Sequence, residues 1–212
     1  MWYSNVKISM DKGRNMRVIQ VHPGTLLSFN MLGLKADEWF RNGIFEHLKN
    51  LPKKSQEMRF FNAVSEDTLK KYVNGLDFNN DGVFVIEDNN KIVAFLHAPK
   101  INETELEFAL SVLQEYEGKG LGTKMFERAY KWACEKGFKK IVSICLSSNK
   151  GMQSIVRKYD DVKIQSVEYN VQEGTIELPD NTVYNPIYAY MSYFTDNIKM
   201  FEIGVKRHLN NV

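Results

Sequence analysis

The sequence predicts an α/β fold, a mixed central sheet flanked by helices with a C-terminal helical extension. Three observations predict it. Apolar residues recur every three or four positions in some segments and every second position in others, the marks of helices and strands in one chain. Residues 141–146 (IVSICL) are almost entirely apolar, as in a strand covered on both faces of a sheet. Between residues 105 and 136, a strand, a glycine-bearing loop and an amphipathic helix follow one another.

Taken in order, residues 17–21 (RVIQV) read as a first strand, punctuated by His22, Pro23 and Gly24. A helix is expected over residues 37–50, where Trp39, Phe40, Ile44, Phe45 and Leu48 share one broad stripe, and Pro52 ends it. Ser65 offers an N-cap hydroxyl to the next helix, and Glu66 and Asp67 are acids in its first turn. Its stripe is Leu69, Tyr72, Val73 and Leu76.

The period then becomes two. Residues 83–87 and 91–97 form a hairpin about Asp88, Asn89 and Asn90. Residues 105–113 read as one strand, with Leu106, Phe108, Leu110 and Val112 toward a core and Glu105, Glu107, Ala109 and Ser111 on the other face. A helix over residues 121–136 stops at Gly137. Residues 150–159 read as a short helix, and residues 163–169 with 174–178 as a closing hairpin.

Beyond these, Ile187, Met191, Phe194, Ile198, Phe201 and Val205 share one helical face, which suits packing onto the domain or a homodimer seam. The expected organisation is one domain over residues 1–180 and a helical extension over 181–212.

Composition narrows the function classes. A hydrophobic fraction of 43% with 25% charged residues places the chain among globular proteins. The net charge is only +2 and the basic residues are dispersed in pairs, so no basic stripe suits nucleic acid. No window approaches the roughly 20 apolar residues of a membrane helix, and the first residues lack a signal-peptide pattern. Cys134 and Cys145 both sit in apolar periodic segments and read as reduced core thiols. A cytoplasmic protein is expected.

The chemistry concentrates in residues 107–122 (EFALSVLQEYEGKGLG). Glycines allow positive φ and close approach of backbone to a ligand. The helix that follows offers free amide N–H groups and the positive end of its dipole, which suits a pyrophosphate. The spacing is G-x-G-x-G, neither the Rossmann fingerprint nor the P-loop, so on spacing alone the phosphate signal is weak.

In its order of strand, loop, helix, buried strand and then Asn149, this segment resembles the GNAT acetyltransferase superfamily, whose pattern [QR]-x-x-G-x-[GA] binds the pyrophosphate of acetyl-CoA. Glu117, Gly120 and Gly122 occupy its three defined positions, with a carboxylate where the family has Gln or Arg. LPKKSQEMRFF over residues 51–61, EFALSVLQEYEGKGLG and NKGM over 149–152 are similar to the strings of the protein-lysine acetyltransferase branch called Pat. The similarity covers roughly residues 51–178. A second departure is Asp160 and Asp161, where the branch has Gly-Phe.

The resemblance implies a GNAT fold, acetyl-CoA as co-substrate, no metal, and transfer of acetyl to a primary amine, small molecule or protein lysine. It implies that Glu107 is the general base. The family's backbone donors and pyrophosphate loop correspond to Leu110, Ser111, Val112, Gly118, Lys119, Gly120, Leu121, Gly122 and Thr123, with Asn149 nearby. Glu105 is a like charge two residues from Glu107. The tyrosine acid of many GNAT enzymes corresponds to Val156 here, and Tyr159 one turn later is better suited to a core or rim role. For Glu117, a side chain directed to water costs little, with Lys119 placed to offset its charge, whereas one directed inward weakens cofactor binding.

Two other readings follow from particular residues. Glu117, Val156 and the Asp160-Asp161 pair also suit a GNAT-like domain that binds acyl-CoA as a regulatory or interaction module. Residues 77–88 (DFNNDGVFVIED) match a calcium loop at Asp77, Asn79, Asp81 and Gly82, but a hairpin follows where an EF-hand needs a second helix, so a polar turn is expected. Residues 25–34, read as a loop, and the extension are the expected acceptor side.

Overall fold

Two sheets carry the fold of the computed structural model, which describes residues 7–10, 14–30, 35–159 and 162–179. The first is antiparallel and runs β1 (Lys7–Met10), β2 (Arg14–Val21), β3 (Gly82–Asp88), β4 (Lys91–Ala98) and β6 (Ala109–Val112). The second runs β5 (Glu105–Glu107), β7 (Lys140–Leu146), β9 (Val171–Glu177) and β8 (Val162–Glu168), with β5 and β7 parallel and the other pairs antiparallel.

The first sheet is covered on both faces, which explains why β3 and β4 are apolar at nearly every position. On one face, α2 (Ala36–Lys49) buries Phe40, Ile44 and Leu48. On the other, α5 (Leu121–Glu135) buries Met125, Phe126, Ala129, Trp132 and Ala133. Trp132 lies so close to the sheet that a Cβ at Gly82 would come within 2.6 Å of its ring. Asn89 and Asn90 close the β3–β4 hairpin at φ 51 and 63, the left-handed pair of a tight turn that Asn tolerates. As expected, Ser65 caps α4 (Glu66–Asn74), its Oγ accepting from the Thr68 N–H at 3.2 Å.

Four elements differ from expectation. β1 pairs with β2 where no strand is predicted. Residues 25–34 do not all form a loop, because α1 spans Pro23–Asn30. His22 Nδ1 accepts from the Gly24 N–H at 3.1 Å, and Pro23 takes the first helical position, where its missing N–H costs nothing. Pro52 not only ends α2 but is also the N-cap of α3 (Lys53–Phe60).

The strand expected over residues 105–113 is two strands that break at Phe108 and belong to different sheets. The alternation along it holds nonetheless. Phe108 packs on Phe126 of α5 at 4.4 Å between centroids, and the side chains of Leu110 and Val112 border Gly122 of α5. Ser111 faces the opposite way, onto His47 of α2. The extension over 181–212, with its apolar face and the homodimer seam suggested for it, lies outside the described residues, as do Asp160 and Asp161.

Candidate active site

The break at Phe108 opens the site. The Phe108 N–H donates to the Val142 carbonyl of β7 at 2.9 Å, after which β6 leaves β7 and pairs only with β4. N–H groups alternate sides along a strand. Those of Glu107 and Leu113 donate to the β4 side, to the Pro99 and Val93 carbonyls at 3.1 and 2.9 Å. By the same alternation, the N–H groups of Leu110 and Val112 project from the free edge of β6, and that of Ser111 turns toward β4. A cavity of about 590 Å³ lies in the gap between β6 and β7, a volume suited to a small-molecule ligand.

The glycine loop and the start of α5 form one wall of this cavity. Gly118 and Gly120 have φ of 70 and 75, and nothing lies within 4 Å of where their Cβ atoms would be. These two glycines meet a backbone requirement and leave the loop backbone open. Gly122 meets a different one, because a Cβ there would sit 3.1 Å from Ile155 Cδ1 and 3.4 Å from Leu110 Cδ1. With no acid in its first turn, α5 presents the unpaired N–H groups and positive dipole end of its N-terminus to the cavity.

The structure brings Leu110, Ser111, Val112, Gly118, Gly120, Leu121, Gly122, Thr123 and Asn149 together around the cavity. Lys119 departs, its ammonium donating to the Glu115 carbonyl at 2.6 Å and lying over the Tyr116 ring, so it does not offset Glu117. Glu117 itself is exposed at the cavity rim. Asn149 uses its side-chain oxygen to cap α6 (Lys150–Val156), accepting from the Met152 N–H at 3.0 Å.

Glu105 is no free like charge beside Glu107, because it pairs with Lys140 at 2.6 Å, and that hydrogen bond holds its carboxyl below the usual range. Val156 is buried against Gly174. Tyr159 stacks on Tyr130 at 4.9 Å, and burial pushes its phenol up to about 12. Cys134 and Cys145 are buried thiols outside any disulfide, and burial pushes both up.

The calcium-like loop is otherwise engaged. Asp77 accepts from the backbone of Asn79 and Asn80 and from the Asn80 side chain, Asp81 meets His97, and Asp88 accepts from Tyr116. Among the described residues, no group of three or more His, Cys, Asp or Glu is arranged to hold a metal ion.

The cavity wall that sequence reasoning missed is α3, which packs against both β6 and β7 and contributes Lys54, Ser55, Met58 and Arg59. Their spacing of one, four and five is a helical face, legible within the LPKKSQEMRFF block once that block is known to be helical. The Arg59 guanidinium donates to Tyr72 Oη at 2.8 Å, Tyr72 Oη meets His97 Nδ1 at 2.9 Å, and His97 Nε2 meets Asp81 Oδ2 at 3.0 Å. One proton arrangement satisfies the chain: Tyr72 donates to Nδ1, and Nε2–H donates to Asp81. Burial pushes the Tyr72 phenol up, against the opposing charge of Arg59, so the phenol keeps its proton.

His97 lies across from Ala109, and Glu107, two residues upstream of Ala109, shares that face. Among the described residues, no hydrogen bond or ion pair engages the Glu107 carboxylate.

The family described as the Acetyltransferase (GNAT) family matches residues 46–159, more than half of the chain. The chain belongs to the GNAT acetyltransferase family. Solved GNAT structures share its fold. The GNAT domain of S. lividans PAT is 18% identical with a TM-score of 0.59, over 77% of this chain and 90% of that one. The GNAT-family acetyltransferase from Streptococcus pneumoniae is 13% identical with a TM-score of 0.51, over 78% of this chain and 100% of that one. Also similar is yncA of Salmonella typhimurium, solved with its cofactor acetyl-CoA, at 13% identity and a TM-score of 0.52, over 80% of this chain and 98% of that one. The chain is thus an acyltransferase of the GNAT fold. No helix among the described residues is long and apolar enough to cross a membrane.

Proposed function

We propose that this GNAT protein transfers acetyl from acetyl-CoA to a primary amine, a small molecule or a protein lysine, with Glu107 as general base. One observation carries the reading. The free edge of β6 and the N-terminus of α5 direct backbone N–H groups into the same cavity, and Glu107, two residues before Ala109 of its lining, has an unengaged carboxylate. Acetyl-CoA supplies an activated thioester. Gly118, Gly120 and the first turn of α5 hold its pyrophosphate, and the β6 edge pairs its pantetheine arm.

An alkylamine has a pKa of about 10.4, so it reaches the site as an ammonium. Glu107 takes that proton, directly or through a water. As the amine attacks, the carbon–nitrogen bond forms and the carbon–sulfur bond breaks, and the second proton that the nitrogen sheds on becoming an amide passes through water to the departing thiolate, giving free CoA. The N–H groups of the β6 edge stabilise the charge that develops on the carbonyl oxygen. The thiolate departs without a side-chain acid, as buried Val156 stands at the position of the family's tyrosine.

Calorimetric titration with acetyl-CoA and with free CoA tests the cofactor site, and micromolar binding is the expected result. A second reading, a GNAT domain that binds acyl-CoA as a regulatory or interaction module, is favoured by Glu117 at the rim and by Val156. Tight acetyl-CoA binding with no acetylation of any amine or lysine peptide would select it.

A further inference from the structure

The acceptor side of the sheet carries two groups that the chain itself leaves unsatisfied. One is the Glu107 carboxylate. The other is Arg59, which lines the cavity and whose Nε is buried without a hydrogen-bond partner. Among the described residues, Arg59 has no ion-pair partner. Leaving a buried guanidinium N–H unpaired is costly, and a donor fork in a cavity wall matches a carboxylate in both shape and charge.

Arg59 is also held in place. Its guanidinium is tied to Tyr72, and through it to His97 and Asp81, and it packs near the Phe60 and Tyr72 rings at 5.3 and 5.6 Å. Lys54 on the same helix is exposed and carries its charge on a flexible stem, so it lacks this preorganisation. Arg59 contacts Tyr72, Tyr72 contacts His97, and His97 lies across from Ala109 on the face that carries Glu107, so Arg59 and Glu107 flank one region over Ala109.

We propose that the acceptor is a small zwitterion, an amine that also bears a carboxylate, with Glu107 facing the amine and Arg59 binding the carboxylate. This rests on the acetyltransferase reading and names its acceptor class. Tyr72, His97 and Asp81 are positioning residues that hold Arg59. The carboxylate is assigned to the acceptor because Arg59 is tied through Tyr72 to His97, which lies across from Ala109 on the Glu107 face of β6; Arg59 also lines the cavity that the glycine loop borders, so a carboxylate on the acyl group is the outcome the test separates.

The test is calorimetric titration of the full chain, with and without saturating CoA, using matched pairs of probes: β-alanine, 5-aminopentanoate and lysine, each against its carboxamide. At least one acid is expected to bind tenfold or more tightly than its amide. Arg59→Gln should abolish that ratio and Arg59→Lys should restore part of it. Tyr72→Phe should raise KM for the acid several-fold more than it lowers kcat, a split that general loss of folding would not produce.

No acid with a tenfold advantage in the wild-type protein, or a ratio that survives Arg59→Gln, overturns the inference. Succinyl-CoA binding tenfold more tightly than acetyl-CoA would also overturn it, by placing the carboxylate on the acyl group. The two readings fail separately. A protein that prefers the acids but does not bind acetyl-CoA overturns the acetyltransferase reading, whereas one that binds acetyl-CoA with no preference overturns the zwitterion inference alone.

Discussion

At the scale of the residue, two carboxylates near the cavity differ in their surroundings. Glu107 has a direction and no partner, which suits a base that must exchange a proton. Glu107→Gln is expected to lower kcat by roughly 10²- to 10⁴-fold, the usual contribution of a positioned base. Acetyl-CoA affinity, measured by titration, should stay nearly constant, and an unchanged kcat would remove Glu107 from the mechanism. Glu117 is exposed at the rim, where water screens its charge. Glu117→Gln should therefore tighten acetyl-CoA binding by only about threefold or less, and a much larger gain would mean that the side chain turns toward the phosphates. Both positions were legible in the sequence. Their directions were not, because a side chain's neighbours come from other parts of the chain.

At the scale of the element, the strand-to-helix junction and α3 define the cavity. Gly122 is the close-packed point, with Ile155 on one side and Leu110 on the other. Gly122→Val should displace those side chains into the cavity and weaken acetyl-CoA binding at least tenfold. The thermal transition should shift by only a few degrees, and unchanged affinity would show that the loop binds elsewhere. The glycine loop and α5 could be read from the sequence, since their signals, glycine spacing and a helical stripe, are local. Missing α3 has a physical cause, in that it buries none of its residues fully and so carries no apolar period. The split at Phe108 escaped detection because the alternation continues through it. What changes there is which neighbouring strand receives each N–H, a fact of pairing and not of pattern.

At the scale of the whole molecule, α2 is joined to the sheet by a buried polar contact. His47 Nδ1 meets the Ile92 carbonyl at 3.1 Å and Nε2 meets Ser111 Oγ at 2.9 Å, with His47 only 1% exposed. Burial lowers its pKa from 6.5 to about 4. The unfolded chain therefore takes up a proton on His47 in a range where the folded chain does not. The stability from neutral His47 is fully present above pH 6.5 and is lost as pH falls toward 4, amounting to about 3 kcal/mol at most. His22, lowered to about 4 mainly by its own burial, acts in the same direction. Denaturant unfolding between pH 7 and 4 should show this decline. His47→Gln should make the curve flatter over that range, and an unchanged slope would place the acid sensitivity elsewhere.

By itself the sequence determined the α/β class, the order of most elements, the glycine loop and the GNAT resemblance. Each of these rests on residues close together in the chain, where periodicity, capping and turn chemistry act. Only the tertiary structure decided that β6 parts from β7 to open a cavity, that α3 walls it, and that Arg59 is tied through Tyr72 and His97 to Asp81. Residues 59, 72, 81, 97 and 107 come from a helix, a second helix, a turn and two strands. Their meeting depends on how two sheets and their covering helices pack, and burial of the apolar faces sets that packing with no local pattern to announce it.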